Sequence, residues 1–261
     1  MPTLDLLHAA AAFGAAFLAG AINSIAGGGT LVSFPTLIWL GLPSVTANAT
    51  STVAIWPGSL GSLGGYRREL RAAERPMFLL IIPSLIGGIT GALLLRYTPP
   101  ALFDRLVPFL ILFATLLFMA QEPVQRKLKK AATGPQHRSP QWIAGAMGFQ
   151  LLVALYGGYF GAGIGILMLA ALSILNFTDD IHQMNGLKVL FGMCINGVAT
   201  LYFVFARMVY WPDVIIMAVA AIIGGYGGAD VARRLGRSTV RRIVVCIGLG
   251  MAVSLFLRRL G

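Results

Sequence analysis

The chain has 261 residues, of which 57% are hydrophobic and only 11% charged, with a mean hydropathy of +0.80. A soluble domain carries about 25% charged residues, so a soluble globular protein is excluded. The net charge of +11 does not point to nucleic acid, because the basic residues fall in the connections between apolar runs, where they set membrane topology.

No Asp, Glu, Lys or Arg lies between Asp5 and Arg67, and none between Trp142 and Thr178. Runs of that length hold several membrane spans with short connections, and they lack the alternation of barrel strands. The first Lys or Arg is Arg67, so the opening apolar stretch reads as a first span rather than a secretory signal. Ten apolar segments are predicted, at about 4–26, 30–41, 44–66, 76–96 and 101–120, then 141–163, 164–176, 181–206, 212–232 and 238–258. The expected fold is an all-α polytopic membrane protein. Cys194 and Cys246 fall inside apolar spans, where cysteine acts as a small hydrophobe.

The order long, short, long, long, long occurs twice. Ala26-Gly27-Gly28-Gly29 matches Ala162-Gly163-Ile164-Gly165 at an offset of 136. From Asn48 with Asn185 onward the offset is 137, and it holds for Gly87-Gly88 and Gly91 with Gly224-Gly225 and Gly228, and for Arg105 with Arg242. One constant offset over that distance marks a tandem duplication. The first repeat is expected at 1–120, a basic cytoplasmic linker at 121–140 and the second repeat at 141–261.

Whether the repeats are parallel or inverted depends on the short segments. If they cross, Lys and Arg divide 14 against 5 between the two faces; if they only dip in, 12 against 7. Equivalent loops also carry opposite bias. The loop at 67–75 has four basic residues and its counterpart near Arg207 one, whereas the loop at 96–105 has two and its counterpart five. The positive-inside rule then predicts two inverted repeats of five segments, both termini outside, a cytoplasmic central loop and a place in the cell inner membrane.

Inverted repeats with broken helices are a carrier architecture, with substrate near the midplane. Both short segments open at glycine-rich breaks, Gly27 to Thr30 and Gly163 to Gly165. A helix start offers free N–H groups and about half a positive charge, so two starts meeting around one site favour an anion. Asn23, Gly28, Gly29, Thr30, Gly163 and Gly165 are candidates on that ground. The third segment opens with Thr46-Ala-Asn-Ala-Thr-Ser-Thr52, which adds Asn48 and Ser51; their repeat counterparts are Asn185 and Lys188. Lys188 is the one basic residue away from the loops, and an ionisable group within a span is a functional candidate; the competing reading is a side chain that snorkels to the interface.

Gly87 with Gly91 and Gly224 with Gly228 fit close helix packing. Asp179, Asp180 and His182 fit a helix start, as Trp211-Pro212 does. No metal-ligand cluster, nucleophile–base pair or phosphate loop is present, so neither an enzyme nor a bound cofactor is expected.

Asn23-Ser-Ile-Ala-Gly-Gly-Gly-Thr-Leu-Val-Ser-Phe-Pro35, Gly41-Leu-Pro-Ser-Val-Thr-Ala-Asn-Ala-Thr-Ser51, the Gly157-to-Gly165 run and Gly224-Gly-Tyr-Gly-Gly-Ala-Asp-Val-Ala-Arg-Arg234 together resemble the TauE/SafE family of membrane transporters. The resemblance covers nearly the whole chain. It implies a two-repeat carrier of a small sulfur-containing anion, sulfite or an organosulfonate, moved outward by alternating access. The second glycine motif, Gly-Ala-Gly-Ile-Gly, is less glycine-dense than the first. An importer of another small anion and a non-transporting membrane subunit are the alternatives, and the driving gradient and oligomeric state stay open.

Overall fold

The computed structural model describes residues 5–25, 28–131, 140–174, 180–235 and 237–257; within these, side chains are described outside 24–25, 61, 121–131, 140, 173–174, 181, 227–235, 237–241 and 243. Every described element is helical. In chain order these are α1 (Leu6–Ile25), α2 (Thr30–Trp39), α3 (Ser44–Gly65), α4 (Arg67–Arg71), α5 (Ile81–Tyr97, entered through a 3-10 stretch at Arg75–Leu80), α6 (Pro100–Ala131), α7 (Pro140–Tyr159), α8 (Ile164–Ile174), α9 (Ile181–Phe205), α10 (Trp211–Leu235) and α11 (Arg237–Leu257).

All ten expected segments are present. The largest difference is α6, which runs to Ala131 instead of stopping near 120. Hydropathy marks where a span leaves the apolar layer, but Gln, Glu, Lys, Arg, Leu and Ala all favour helix, so the helix continues past that point. Five helical stretches are long and apolar enough to cross a membrane, at 6–23, 75–97, 100–120, 141–159 and 182–205. The chain is a multi-pass membrane protein by these spans. The polar opening at Thr46–Thr52 lowers the hydropathy of α3, which is not one of the five.

Packing between the two halves is reciprocal. α1 lies along α10 and α7 along α5; α3 meets α10 and α9 meets α5; α2 meets α11 and α8 meets α6. Paired residues give the directions. His8 meets Asp213 and Gly20 meets Ala221, so α1 and α10 run parallel. Trp56 meets Met193 and Tyr66 meets Gly186, so α3 and α9 run antiparallel. Thr115 meets Gly248 and Phe109 meets Phe256, so α6 and α11 are antiparallel as well. One end of the bundle, the His8 end, therefore gathers the starts of α1, α3, α6 and α10. The opposite end carries Arg67–Arg75.

Glycine sets the closest approaches. A Cβ on Gly20 would lie 2.2 Å from the Ala221 carbonyl oxygen, and one on Gly224 2.0 Å from that of Phe17. Gly91 and Gly158 stand in the same relation to Leu155 and Gly88, at 2.2 and 2.1 Å. Backbones this close need small residues and gain dispersion contact where lipid supplies no hydrophobic drive. The packing around Gly228 lies outside what is described.

One polar pair also joins α1 to α10. His8 Nε2 lies 2.9 Å from Asp213 Oδ1, with the side chains 5% and 0% exposed. Asp213 Oδ2 has no partner among the described residues. Removing one member of a buried pair strands the other and costs about 3–5 kcal/mol. His8→Leu should therefore lower thermal stability sharply, and the double variant His8→Leu/Asp213→Leu should regain most of the loss in a detergent melt. Gly20→Leu should be severely destabilising through overpacking, by about 1–3 kcal/mol or more. A Cβ on Gly14 would meet nothing within 4 Å, so Gly14→Ala should be neutral or slightly stabilising in the same assay.

Candidate functional site

Both helix breaks open onto one cavity. α1 stops before the break and α2 turns back along it, since a Cβ at Gly29 would lie 2.2 Å from the Ala19 carbonyl oxygen. The turn needs a left-handed backbone at Gly28, with φ +91°, and the second break needs it at Gly161 and Gly163, with φ +76° and +78°. Side chains with a Cβ rarely take that conformation. Space at the two breaks is set by one face of α6. The Gly28 backbone faces Phe118, and that of Gly163 faces Ala114 one turn earlier, so the breaks meet within about 6 Å along that helix.

The cavity has a volume of about 480 Å³. Its wall takes Asn23, Gly28, Thr30, Gly163, Gly165 and Lys188 from the ten candidate residues. Asn23 Oδ1 accepts the Gly29 N–H at 2.8 Å and so fixes the start of α2 from the end of α1. The backbone N–H groups of Thr30 and Gly165 take part in no hydrogen bond with a described residue. Among the described residues they are the unmet donors of the two helix starts. Lys188 lies in the second turn of α9, half-buried, with its Cδ 3.6 Å from the Cβ position of Gly165. It turns toward the second break rather than away along the helix.

The remaining four candidates are outside that wall. Gly29 is packed on α1. Asn48 is 1% exposed and donates from Nδ2 to the Tyr159 carbonyl at 3.0 Å. Ser51 is sealed against Ser33, Oγ to Oγ at 2.7 Å. Asn185 is half-buried on α9, one turn before Lys188. Asn48 and Ser51 belong to a closed layer on the His8 side of the breaks. The Tyr210 N–H donates there to Thr50 Oγ1 at 2.9 Å, and the Ser44 hydroxyl donates to the Asp104 carboxylate. Phe34 meets Phe160 edge to face at 5.3 Å, and Phe103 meets Tyr159 at 5.6 Å. On the other side the cavity follows α3 from Thr52 to Ser62, toward the Arg67 end.

Sequence reasoning passes over Trp56, Asn196 and Tyr226, which also line the cavity. Trp56 Nε1 donates to the Met193 carbonyl at 3.1 Å and ties α3 to α9. For Asn196 a signal exists: it is 137 residues after Ser59, and both line the wall. Asp180 caps α9 as expected, its Oδ1 accepting the His182 N–H at 2.8 Å. Among the described residues no group of His, Cys, Asp or Glu could hold a metal ion.

Three relatives match nearly end to end. A probable membrane transporter protein of Haemophilus influenzae is 26% identical over 253 residues, 97% of this chain and 95% of that protein. The probable membrane transporter protein ORF9 of a Sinorhizobium species is 25% identical, covering 93% of this chain and 90% of its own length. The probable membrane transporter protein YfcA of Escherichia coli is 25% identical, covering 93% and 87%. No solved structure matches the chain. The family model described as sulfite exporter TauE/SafE matches residues 12–255. The chain belongs to the sulfite exporter TauE/SafE family of membrane transporters.

Proposed function

We propose that this protein is a carrier for a small sulfur-containing anion, sulfite or an organosulfonate, working by alternating access between two inverted repeats. The observation that carries the reading is the cavity, where Lys188 shares a wall with the starts of α2 and α8. Charge-assisted hydrogen bonds from such donors are about twice as strong as neutral ones, and helix starts favour negative charge. The anion is argued from these groups. The sulfur chemistry and the outward direction are taken from the family description.

The inverted arrangement is supported by direction. α3 and α9 are equivalent by the 137-residue offset, yet run antiparallel, as do α6 and α11. A duplication inserted in one orientation would leave equivalents parallel. With α2 and α8 carrying the chain back, the basic residues fall 14 to the Arg67 face and 5 to the His8 face. The positive-inside rule makes the Arg67 face cytoplasmic, with both termini and the closed layer outside, in the cell inner membrane. The cavity then faces the cytoplasm, the side from which an exporter loads. Ser51 in the closed layer and Lys188 in the open cavity are repeat equivalents, so the opposite state would close the second and open the first.

Lys188→Met should weaken binding of sulfite or a short sulfonate roughly ten- to a hundredfold, while Lys188→Arg keeps most of it; isothermal titration of the purified protein reads both. Unchanged affinity in Lys188→Met would leave the charge role without support and favour a snorkelling lysine. Proteoliposomes that pass no anion while the fold is intact would end the carrier reading. Topology is checked separately in a bacterial host. An alkaline phosphatase fused after Gly261 should be active, and one inserted in the central stretch near Pro135 should be silent.

A further inference from the structure

The second break leaves oxygen atoms that an anion cannot use. With Gly161 in the left-handed region, its N–H reaches the Tyr156 carbonyl at 3.4 Å instead of that of Gly157. The Gly157 carbonyl is left without a donor among the described residues. Around the point where a Cβ on Gly161 would be, the three nearest atoms beyond the adjoining residues are all oxygens. They are the Gly157 carbonyl at 3.3 Å, Asn196 Oδ1 at 3.9 Å and Thr52 Oγ1 at 4.0 Å. Thr52 commits its proton to the Asn48 carbonyl at 2.9 Å, so its oxygen meets this space as an acceptor. Asn196 Oδ1 is buried and has no partner among the described residues.

Three acceptors without donors thus converge on one small space. An anion is repelled there. A water molecule has two protons for three acceptors and leaves one unmet. A small hard cation satisfies all three, since such ions take oxygen ligands. The space also adjoins the C-terminal end of α7, where the helix dipole is negative, and unwound carbonyls at half-helix ends can coordinate a sodium ion in carriers. No Asp or Glu among the described residues lines the cavity, which favours a single over a double charge. Lys188 is eight residues from Asn196 on α9, about 12 Å along the helix backbone, and its side chain leans on Gly165 rather than on Gly161. The first half does not repeat the arrangement, because Val189 stands where the offset places Thr52.

We propose that the end of α7 at Gly161, together with Thr52 of α3 and Asn196 of α9, forms a binding site for a sodium ion. The site is independent of which anion the cavity takes. The test uses the purified full chain in detergent, with no sulfur anion present and choline chloride holding the ionic strength constant. Sodium chloride is titrated while the unfolding midpoint and the binding of radioactive sodium are read. A saturable response to sodium is expected. It should weaken by roughly tenfold or more in Thr52→Val, which keeps the shape and removes the oxygen. Asn196→Ala reads the same loss if Thr52→Val does not fold. Lys188→Met should lose sulfite binding measured in choline and keep the sodium response, which separates failure of this site from failure of the anion reading. No saturable sodium response in the unmodified protein, as with a water molecule only, overturns the proposal. So does a sodium response in Thr52→Val and Asn196→Ala equal to that of the unmodified protein.

Discussion

The structure depends on one constraint: backbone groups freed inside an apolar layer have to find partners, because hydrocarbon offers none. Two breaks free many at once. At the first, the Asn23 side chain accepts the Gly29 N–H. At the second, the Tyr156 hydroxyl donates to the Ala162 carbonyl at 2.7 Å, and Asn48 reaches from the other half to the Tyr159 carbonyl. What these side chains leave unmet faces the cavity. The cavity is thus the place where the backbone is permitted to stay incomplete, which is also what makes it able to hold a polar ligand.

Around it the helices divide by how they touch. α1 with α10, and α5 with α7, meet backbone to backbone through glycine. Contacts that close tolerate little sliding, since a shift of a few tenths of an ångström brings carbonyl oxygens into collision. Each of these pairs takes one helix from each half, so neither half is free to move as a block of its own. α3 and α9 meet differently, through side chains such as Trp56 on the Met193 carbonyl. In the proposed carrier, that softer seam is where closing one side can be exchanged for opening the other.

Much of this was legible in the sequence. Charge-free runs mark the spans, and the offset of 137 relates segments that pack reciprocally, because both are one-dimensional patterns that packing preserves. The meeting of the breaks could be inferred from their equivalence. Less legible was which polar residues share a space. Asn48, Ser51 and Lys188 look alike as polar positions in spans, yet two are sealed and one lines the cavity; the difference is conformational, and a repeat pattern carries no information about it. His8 with Asp213 was not legible at all. The offsets place Ala144 and Pro76 at their counterparts, so the pair has no echo in the repeat, and nothing in sequence relates residues 205 positions apart.

The unequal breaks follow from the same physics. In the proposed pair of inverted repeats, duplication copies a backbone path, and the path fixes where unmet N–H groups and carbonyls fall, since each break has a helix ending and another beginning. Side chains then decide which of the two is used. On α9 the offset pairs Lys188 with Ser51, so positive charge exists on one side of the axis only; on α3 it pairs Thr52 with Val189, so the hydroxyl acceptor exists on one side only. A site built alike in both halves would present the same affinity to both faces. Unlike side chains on a shared path allow the two faces to differ, and they do so without altering the glycine contacts that hold the frame.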